Sequence, residues 1–266
     1  MSIQTVKVGT LEYLTAEGIE TPHCFTTRYG GVSSGMFSSM NIAIKEGEAP
    51  ENVRKNLQIL ADSLGFGLEK LILTRQTHSD IVRVVGSADH RSCFHKDYPE
   101  CDALVTCEPG VALGIFTADC TPMLFHDPVT GAVGAAHAGW RGTAAAIGPK
   151  TVEAMCREFG AKPENIRAAI GPNIGVCCFE TDADVPIAMV EAFGQDVRQY
   201  IHPRGSKYYV NLKEINALIL RRCGVRHIDI SRDCTKCQPD RFWSHRITGP
   251  NRGSQGAIIL CKEERK

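Results

Sequence analysis

Four short apolar segments follow one another between Ala103 and His137, and no other part of the chain constrains the fold as strongly. Glycine, proline or aspartate separates each segment from the next. Short apolar runs bounded by turn residues are typical of buried β-strands. We therefore predict successive buried strands at residues 103–105, 112–117, 123–126 and 132–137.

Elements of both types surround this region. Apolar residues recur at helical spacing over residues 52–64, where Val53, Leu57 and Leu60 share one side. Because strands and helices mix without a regular βαβ rhythm, we predict an α+β, mixed α/β fold with mixed β-sheets. No linker divides the sequence, so we expect one domain over residues 1–266. Further helices are predicted at 143–159, 182–193 and 212–223, and further strands at 22–28, 71–73, 81–85, 166–170, 208–211, 228–230 and 256–260.

Composition excludes several classes of protein. The chain has 266 residues with 43% hydrophobic and 23% charged residues, which argues against disorder. Its formal net charge is zero, so nothing favours a nucleic acid or an anionic membrane as a partner. No apolar run resembles a signal peptide or is long enough to span a bilayer. We expect a cytoplasmic protein, either a monomer or a homodimer.

Two histidines and a cysteine form the main candidate site. His78, Cys120 and His137 lie at or between predicted strand ends, where side chains from neighbouring strands converge on a pocket. A zinc ion held by these three ligands would keep a fourth position open, which is the catalytic pattern. The spacings of 42 and 17 residues match no compact zinc motif. Cys120 as a nucleophile with His137 as its base is equally compatible with the residues.

Other residues near this site also have candidate roles. Asp119 precedes Cys120 and is placed to accept a hydrogen bond from a ligating imidazole. Of the twelve cysteines, Cys234 and Cys237 form a C-x-x-C pair, but the sequence contains no second such pair, so we expect an ordinary loop there. Cys177 and Cys178 are adjacent, and we do not expect them to chelate one ion together.

Four sequence blocks occur in an order that resembles the laccase-domain family. They read TTRYGGVS at residues 26–33, QTHS at 76–79, ADCTP at 118–122 and AHAGWRG at 136–142. The resemblance extends over nearly the whole chain. Members of this family were long labelled multicopper polyphenol oxidases and were later recognised as purine nucleoside phosphorylases. The resemblance implies a layered sandwich of mixed sheets and helices, similar to the catalytic domain of cytotoxic necrotizing factor toxins.

The same resemblance implies an activity and a set of site residues. His78, Cys120 and His137 correspond to the zinc ligands of the family. The implied reaction is the phosphorolysis of adenosine, inosine, guanosine and methylthioadenosine, together with deamination of adenosine; copper would be an opportunistic occupant. Phosphorolysis needs a cation that binds phosphate, and arginine does so with two parallel hydrogen bonds. Four arginines lie in or beside the segments that carry the resemblance and are the candidates for substrate or phosphate binding: Arg28, Arg75, Arg141 and Arg246.

One block departs from the family pattern. Members commonly read Ser-Tyr-Arg or Ser-Phe-Arg and then Thr-Gly-Arg. Here residues 244–246 read SHR and residues 248–252 read TGPNR. This difference puts the ligand contacts near residues 244–252 in question, but it leaves the three proposed metal ligands unchanged.

Two alternative activities remain open. Copper-dependent phenol oxidation by a multicopper enzyme needs about ten His and Cys ligands, many of them in His-x-His pairs. The chain has nine histidines and no His-x-His sequence, which argues against this activity. A cysteine hydrolase that uses Cys120 and His137 is the other alternative, and the similarity of the fold to a deamidating toxin supports it.

Overall fold

The computed structural model describes residues 2–91 and 98–262. Helices and mixed β-sheets occur together, so the predicted α+β class is confirmed. None of the described helices has both the length and the apolar character needed to cross a membrane. The helices are α1 Pro50–Leu64, α2 Trp140–Ala144, α3 Ile147–Phe159, α4 Asp184–Phe193, α5 Leu212–Arg222 and α6 His245–Thr248.

The strands of the described residues form two six-stranded sheets and one three-stranded sheet. The strands are β1 Ile3–Val8, β2 Leu11–Ala16, β3 His23–Thr26, β4 Leu71–Ile72, β5 Val82–Val84, β6 Ala103–Thr106, β7 Ala112–Thr117, β8 Thr121–His126, β9 Val133–Ala138, β10 Arg167–Ile170, β11 Glu180–Thr181, β12 Ile201–Arg204, β13 Lys207–Val210, β14 His227–Ile230 and β15 Gln255–Leu260.

Both large sheets are mixed. The first has the order β1-β2-β3-β15-β7-β4, and its β4–β7 pair is parallel while the others are antiparallel. The second has the order β14-β10-β8-β9-β6-β5, with parallel pairs at both of its edges. The small sheet, β11-β13-β12, is antiparallel. The four strands predicted between residues 103 and 137 are all present, and they are divided between the two large sheets.

The two large sheets pack face to face, because alternate residues of their strands point into a shared core. Leu113 and Ile115 of β7 meet Leu124 of β8 in that core. The intervening residues face outward: Met123 and its neighbours pack against α3 and α5, whereas α1 covers the outer face of the first sheet. The result is a sandwich of helices, sheet, sheet and helices.

The predicted helix at residues 143–159 is wrong in one respect, since it is broken into α2 and α3. Ala146 lies between them with a left-handed φ of 62°. Pro149 explains the break: it has no N–H to donate to the carbonyl of Ala145, and its ring would clash with that carbonyl in a continuous helix. The end of α3 at Gly160, which has a φ of 67°, is as predicted.

Several elements were not predicted. They are the β1–β2 hairpin, the short strands β11 and β12, and the single-turn helix α6. Strand β1 lies at the edge of its sheet and is largely exposed, so its sequence carries little apolar patterning.

Candidate metal centre and its cavity

The three candidate ligands come together at one end of the second sheet. Their potential ligand atoms all lie within 4.8 Å of one another. The Sγ of Cys120 is 3.7 Å from Nε2 of His78. The imidazole rings of His78 and His137 meet edge to face, with 4.9 Å between their centroids. This is a compact group of two nitrogen ligands and one sulfur ligand.

Strand pairing explains why residues distant in sequence meet here. Strands β8 and β9 are antiparallel, and Thr121 pairs with Ala138. Cys120, just before β8, therefore lies at the same sheet end as His137 in β9. Residue 120 also lies where the chain passes from β7 of the first sheet to β8 of the second. His78 reaches the same place from the loop between β4 and β5, with a left-handed φ of 61°.

A buried carboxylate that the sequence analysis did not select organises the centre. Oδ1 of Asp102 lies 2.8 Å from Nδ1 of His137. Nδ1–H donates this bond, so Nε2 of His137 is free to bind a metal. The same carboxylate accepts backbone N–H bonds from Thr77, His78 and Ser79, at 3.1, 3.1 and 2.7 Å. Asp102 therefore holds one ligand by its ring and another by its backbone.

These contacts shift the pKa values of the three groups. Burial by itself would raise the pKa of Asp102, but hydrogen bonds from His137 and Ser79 lower it to about 2. Burial would also raise the pKa of Cys120, yet interaction with the imidazoles of His137 and His78 lowers it to about 6. The thiolate and Asp102 outweigh burial at His137 and raise its pKa to about 9. Cys120 and His137 therefore each favour the charged form of the other.

Gly139 leaves the space that this group needs. A Cβ atom at this position would lie 2.7 Å from Cδ2 of His78 and 3.2 Å from Sγ of Cys120. The small residues that follow His137 in the sequence therefore have a steric role at the centre.

A cavity of about 700 Å³ opens onto the three side chains. This volume lies in the usual range for small-molecule sites. Its walls combine apolar and aromatic groups with cations. The apolar and aromatic residues include Ile42, Tyr98, Phe116, Trp140, Ile174 and Phe179.

Only two of the four candidate arginines, Arg75 and Arg246, line this cavity. The guanidinium of Arg28 donates to the carbonyls of Ser38 and Pro239, and it stacks over the ring of Trp243 at 3.8 Å. Arg141 lies over Trp140 outside the cavity wall. Arg28 and Arg141 therefore do not line this cavity, because local carbonyls and rings hold their side chains elsewhere, and their role in substrate binding stays a prediction.

Two cations that the sequence analysis did not select line the cavity as well. They are Lys45 and Arg252. Burial, and next the charge of Arg252, keep the pKa of Lys45 below its usual value. Burial also lowers the pKa of Arg252, against the charges of Asp119 and Cys120. Arg252 lies in the segment that departs from the family pattern, and this departure was the available sequence signal that the segment contributes to the site.

Asp119 does not accept the predicted hydrogen bond from a ligating imidazole. Its carboxylate accepts hydrogen bonds from Oγ1 of Thr235, Oγ of Ser244 and the backbone N–H of Arg246, at 2.5, 3.1 and 2.7 Å. The carboxylate that contacts a ligand imidazole is Asp102 instead. Asp119 has a left-handed φ of 80° and fixes the backbone just before Cys120.

Sequence comparison places the chain in a family. A profile described as "Multi-copper polyphenol oxidoreductase laccase" matches residues 22–262. The chain belongs to this family. The resemblance seen in the motif blocks is thereby confirmed, and the laccase-like members described next share most of this chain's length.

The similar proteins carry two kinds of name. "Purine nucleoside phosphorylase" of Deinococcus radiodurans is 38% identical over 252 residues, covering 94% of this chain and 92% of that protein. "Adenosine deaminase RL5", from an unknown prokaryotic organism, is 35% identical and covers 90% of this chain and 93% of its own. "Purine nucleoside phosphorylase LACC1" of Mus musculus is 34% identical over 91% of this chain. The match spans only 56% of that longer mouse protein.

Solved structures of the family have the same fold. The crystal structure of the hypothetical protein YfiH of Bacillus licheniformis superposes with a TM-score of 0.90 at 32% identity. The superposition covers 97% of this chain and 98% of the YfiH chain. The layered arrangement of sheets and helices is therefore common to this laccase-like family.

Proposed function

We propose that the chain, acting as one domain over residues 1–266, is a zinc-dependent purine nucleoside phosphorylase that also deaminates adenosine. The observation that carries the proposal is that His78, Cys120 and His137 converge on the wall of a cavity of about 700 Å³. Relatives named for both reactions support the same two classes of chemistry. The expected substrates are adenosine, inosine, guanosine and methylthioadenosine, each with phosphate.

The three side chains fit a zinc ion. Two imidazoles and a thiolate are ligands that zinc accepts, and three protein ligands leave one position for substrate or water. Asp102 on Nδ1 of His137 is the carboxylate partner that metal-ligating histidines usually have. When bound, the ion supplies a Lewis acid that polarises an oxygen or nitrogen atom of the reactants. The same donors accept copper, which we regard as an opportunistic occupant.

The cavity walls suit a purine nucleoside. Phe116, Trp140 and Phe179 present aromatic surface to a flat heterocycle, which favours stacking and excludes water. The wall also carries cations, and one of them, Arg246, lies over the ring of Phe179 at 5.7 Å, so the cavity offers aromatic surface to a neutral ring and positive charge to an anion.

Lys45 and Arg252 form the best candidate phosphate subsite. Both line the cavity, and their like positive charges repel each other, because the charge of Arg252 lowers the pKa of Lys45. An anion held between them relieves this repulsion. The guanidinium of Arg252 is partly fixed by its bonds to the carbonyl of Gly253 and Oγ of Ser254. A fixed planar guanidinium is well suited to binding phosphate.

In phosphorolysis these residues mainly bind and orient the reactants. A phosphate oxygen forms a bond to C1′ of the ribose as the bond from C1′ to the purine nitrogen breaks. The electron pair of the broken bond leaves with the purine, which takes up a proton. Because the ribose becomes cation-like on the way, an anion held beside it by Lys45 and Arg252 lowers the barrier. In deamination, a water oxygen replaces the amino group at C6, and ammonia leaves.

Product analysis tests the proposal directly. Purified, zinc-replete protein is incubated with adenosine in the presence and absence of phosphate, and the products are separated by mass-resolved chromatography. We expect adenine and ribose 1-phosphate only when phosphate is present, and inosine in both samples. Unchanged adenosine, inosine and methylthioadenosine under all these conditions would refute the nucleoside assignment.

One observation favours cysteine hydrolysis as a second candidate. Cys120, His137 and Asp102 form a nucleophile–base–carboxylate series, with the pKa of Cys120 lowered to about 6 although burial alone would raise it. A hydrolase of this type would keep its activity in the presence of a chelator and lose it when Cys120 is alkylated. The zinc enzyme would lose its activity in both cases, so the two treatments separate the candidates.

The older polyphenol oxidase label receives less support. Across residues 2–91 and 98–262, the possible metal-binding groups are the His78–Cys120–His137 centre and one group of four cysteines. A multicopper oxidase holds several coppers with about ten His and Cys ligands, and neither group offers the histidines for a copper cluster. We expect any phenol oxidation to be weak and to depend on copper bound at the three-ligand centre.

A further inference from the structure

A second group of sulfur ligands lies apart from the proposed catalytic centre. The Sγ atoms of Cys177, Cys178, Cys234 and Cys237 all lie within 4.8 Å of one another. We call these four residues the cysteine cluster. The sequence predicts an ordinary loop at Cys234 and Cys237, but the fold brings the adjacent pair Cys177–Cys178 beside them.

The spacing of the sulfurs fits one shared ion. Sγ of Cys237 is 3.6 Å from Sγ of Cys177 and 3.4 Å from Sγ of Cys178. Four sulfurs placed tetrahedrally at about 2.3 Å from a zinc ion are separated by about 3.8 Å. A disulfide would require about 2.05 Å, and all four cysteines are free. An iron–sulfur cluster would divide its four thiolates among two or four irons, which places thiolates on different irons farther apart than a single ion does.

The surroundings of the cluster stabilise negative charge. The backbone N–H of Gly175 donates to Sγ of Cys234 at 3.2 Å, as in the outer shells of metal thiolates. Lys213 is buried, and its ammonium group donates to the carbonyls of Ser231 and Asp233. Among the described residues, no carboxylate lies close enough to form an ion pair with it. At longer range its charge interacts with Asp233, Cys234, Cys177 and Glu214. A buried cation at this position offsets the two negative charges of a zinc ion with four thiolates.

We propose that Cys177, Cys178, Cys234 and Cys237 bind one zinc ion that serves a structural role. Four protein ligands fill the coordination sphere of zinc, so no position remains for substrate or water. Cys177 and Cys237 are exposed, which gives the ion a path from solvent. This proposal is independent of the activity of the His78–Cys120–His137 centre.

The position of the cluster indicates what the ion would hold together. It joins residues 174–179 to residues 234–237, and both segments support the loop of Cys120. Ile174 donates its N–H to the carbonyl of Asp119, and Thr235 donates its hydroxyl to the carboxylate of the same residue. Ile174 and Phe179 also line the cavity. A metal ion here would fix one cavity wall and the backbone beside a catalytic ligand.

Metal content of the full-length protein tests the inference. Protein is expressed with added zinc, freed of loosely bound metal, and measured by elemental mass spectrometry. We expect about two zinc ions per chain in the wild type and about one in the Cys234→Ser/Cys237→Ser variant. His78→Ala/His137→Ala, which removes the other centre, should also retain about one. Cys156→Ser changes a half-buried cysteine outside both groups and should retain about two.

Cobalt distinguishes the two sites by spectroscopy. Co²⁺ bound by four thiolates absorbs much more strongly in its sulfur-to-metal band than Co²⁺ bound by one thiolate. The strong band should persist in His78→Ala/His137→Ala and disappear in Cys234→Ser/Cys237→Ser. If the cysteine variant does not fold, titration of wild-type protein with an organomercurial remains decisive, since one zinc should leave as about four thiols react.

Three results would overturn the inference. The first is a wild-type zinc content of about one that is lost completely in His78→Ala/His137→Ala. The second is a metal content that does not change in Cys234→Ser/Cys237→Ser. The third is disulfide formation within the cluster in freshly purified protein, detected by intact mass after alkylation without reduction. Loss of nucleoside activity would affect none of these readouts, so a failure of the proposed function is distinguishable.

Discussion

The two groups of potential metal ligands are built differently. The His78–Cys120–His137 centre has three ligands of mixed type, a buried carboxylate behind one imidazole, and an open cavity in front. The cysteine cluster has four ligands of one type. Three ligands beside a cavity leave a coordination position for chemistry, whereas four sulfurs complete a structural site. The comparison teaches that ligand number and adjoining space, more than the metal itself, separate the roles of the two groups.

Replacing His137 with alanine should produce the largest effect. Removal of this ligand abolishes metal binding at the centre, and metal ions contribute several kcal/mol to transition-state stabilisation, so we expect both activities to fall by about a thousandfold or more. The cysteine cluster should keep its zinc, which controls for folding. Phosphorolysis that survives while deamination is lost would mean that the metal serves only one of the two reactions.

Replacing Asp102 with asparagine should weaken zinc binding at the same centre by about 10- to 100-fold, as loss of a hydrogen-bonded partner behind a ligand does. Competition with a chromogenic chelator measures this change. Asp229→Asn is the matched control: Asp229 is also a buried carboxylate, and it accepts a backbone bond from Gly18. An equal loss of zinc in both variants would show that Asp102 acts only on overall stability.

Replacing Arg252 with glutamine should raise the KM for phosphate by about tenfold or more, since hydrogen bonds to charged groups contribute about 1.5–3 kcal/mol. The KM for nucleoside should change less. Arg141→Gln is the matched control, because Arg141 lies over Trp140 outside the cavity. If Arg141→Gln raised the KM for phosphate more than Arg252→Gln does, the assignment of the phosphate subsite to Lys45 and Arg252 would be wrong.

The two sites should also differ in how zinc affinity depends on pH. In the His78–Cys120–His137 centre, Cys120 loses its proton at about pH 6 and His137 at about pH 9. The metal needs the thiolate and the neutral imidazole, so affinity should rise about tenfold per pH unit between these values as the proton on His137 is displaced. Below pH 6 the rise should be steeper, because Cys120 must lose its proton as well.

The cysteine cluster provides the contrast in that experiment. Burial raises the pKa of Cys177 to about 11 and also raises that of Cys178. Zinc must therefore displace more protons from the cluster than from the His78–Cys120–His137 centre at neutral pH, and its affinity should rise more steeply with pH. Chelator competition on His78→Ala/His137→Ala measures the cluster alone. If the logarithm of the zinc affinity rose equally steeply with pH at both sites, the predicted difference in displaced protons would be wrong.

Replacing Cys237 with serine should have the smallest effect on chemistry and a clear effect on stability. We expect a lower Tm, with a shift of roughly 2–4 °C for each kcal/mol lost in a protein of this size. At temperatures well below the Tm, activity should fall by less than about tenfold, because none of the four cluster residues lines the cavity. Cys223→Ser, at a half-buried cysteine outside both groups, is the control. A loss of activity as large as that of His137→Ala would show that the cluster takes part in catalysis.

Local sequence patterns were sufficient for much of the fold. Strand β7 was predicted to the residue, since its apolar run is bounded by turn residues on both sides. The helix break at Ala146 was not predicted, although Pro149 in the sequence marks it. The edge hairpin β1–β2 was not predicted either, because the largely exposed strand β1 carries little apolar patterning. The motif blocks identified the three ligands, but only the strand register shows that they meet.

Residues that act through distant pairing could not be found from the sequence. Asp102 precedes β6 and reaches His137 because Ala103 pairs with Ala136 across the sheet. No motif marks it. The cysteine cluster likewise depends on a bridge between Asn173 and Cys234, which brings together segments about 60 residues apart in sequence. Such contacts follow from topology, and composition or spacing does not reveal them.

The position of β15 has a consequence for how the protein is made in the cell. This strand, Gln255–Leu260, lies between β3 and β7, so the first sheet has a gap until residues 255–260 have been synthesised. Ribosomes release the amino end first, and until Leu260 emerges two unpaired strand edges face the surroundings. The partners of the Asp119 carboxylate, Thr235 and Ser244, also emerge late. The nascent polypeptide therefore completes the first sheet and the hydrogen bonds of Asp119 only after residues 235–260 have emerged.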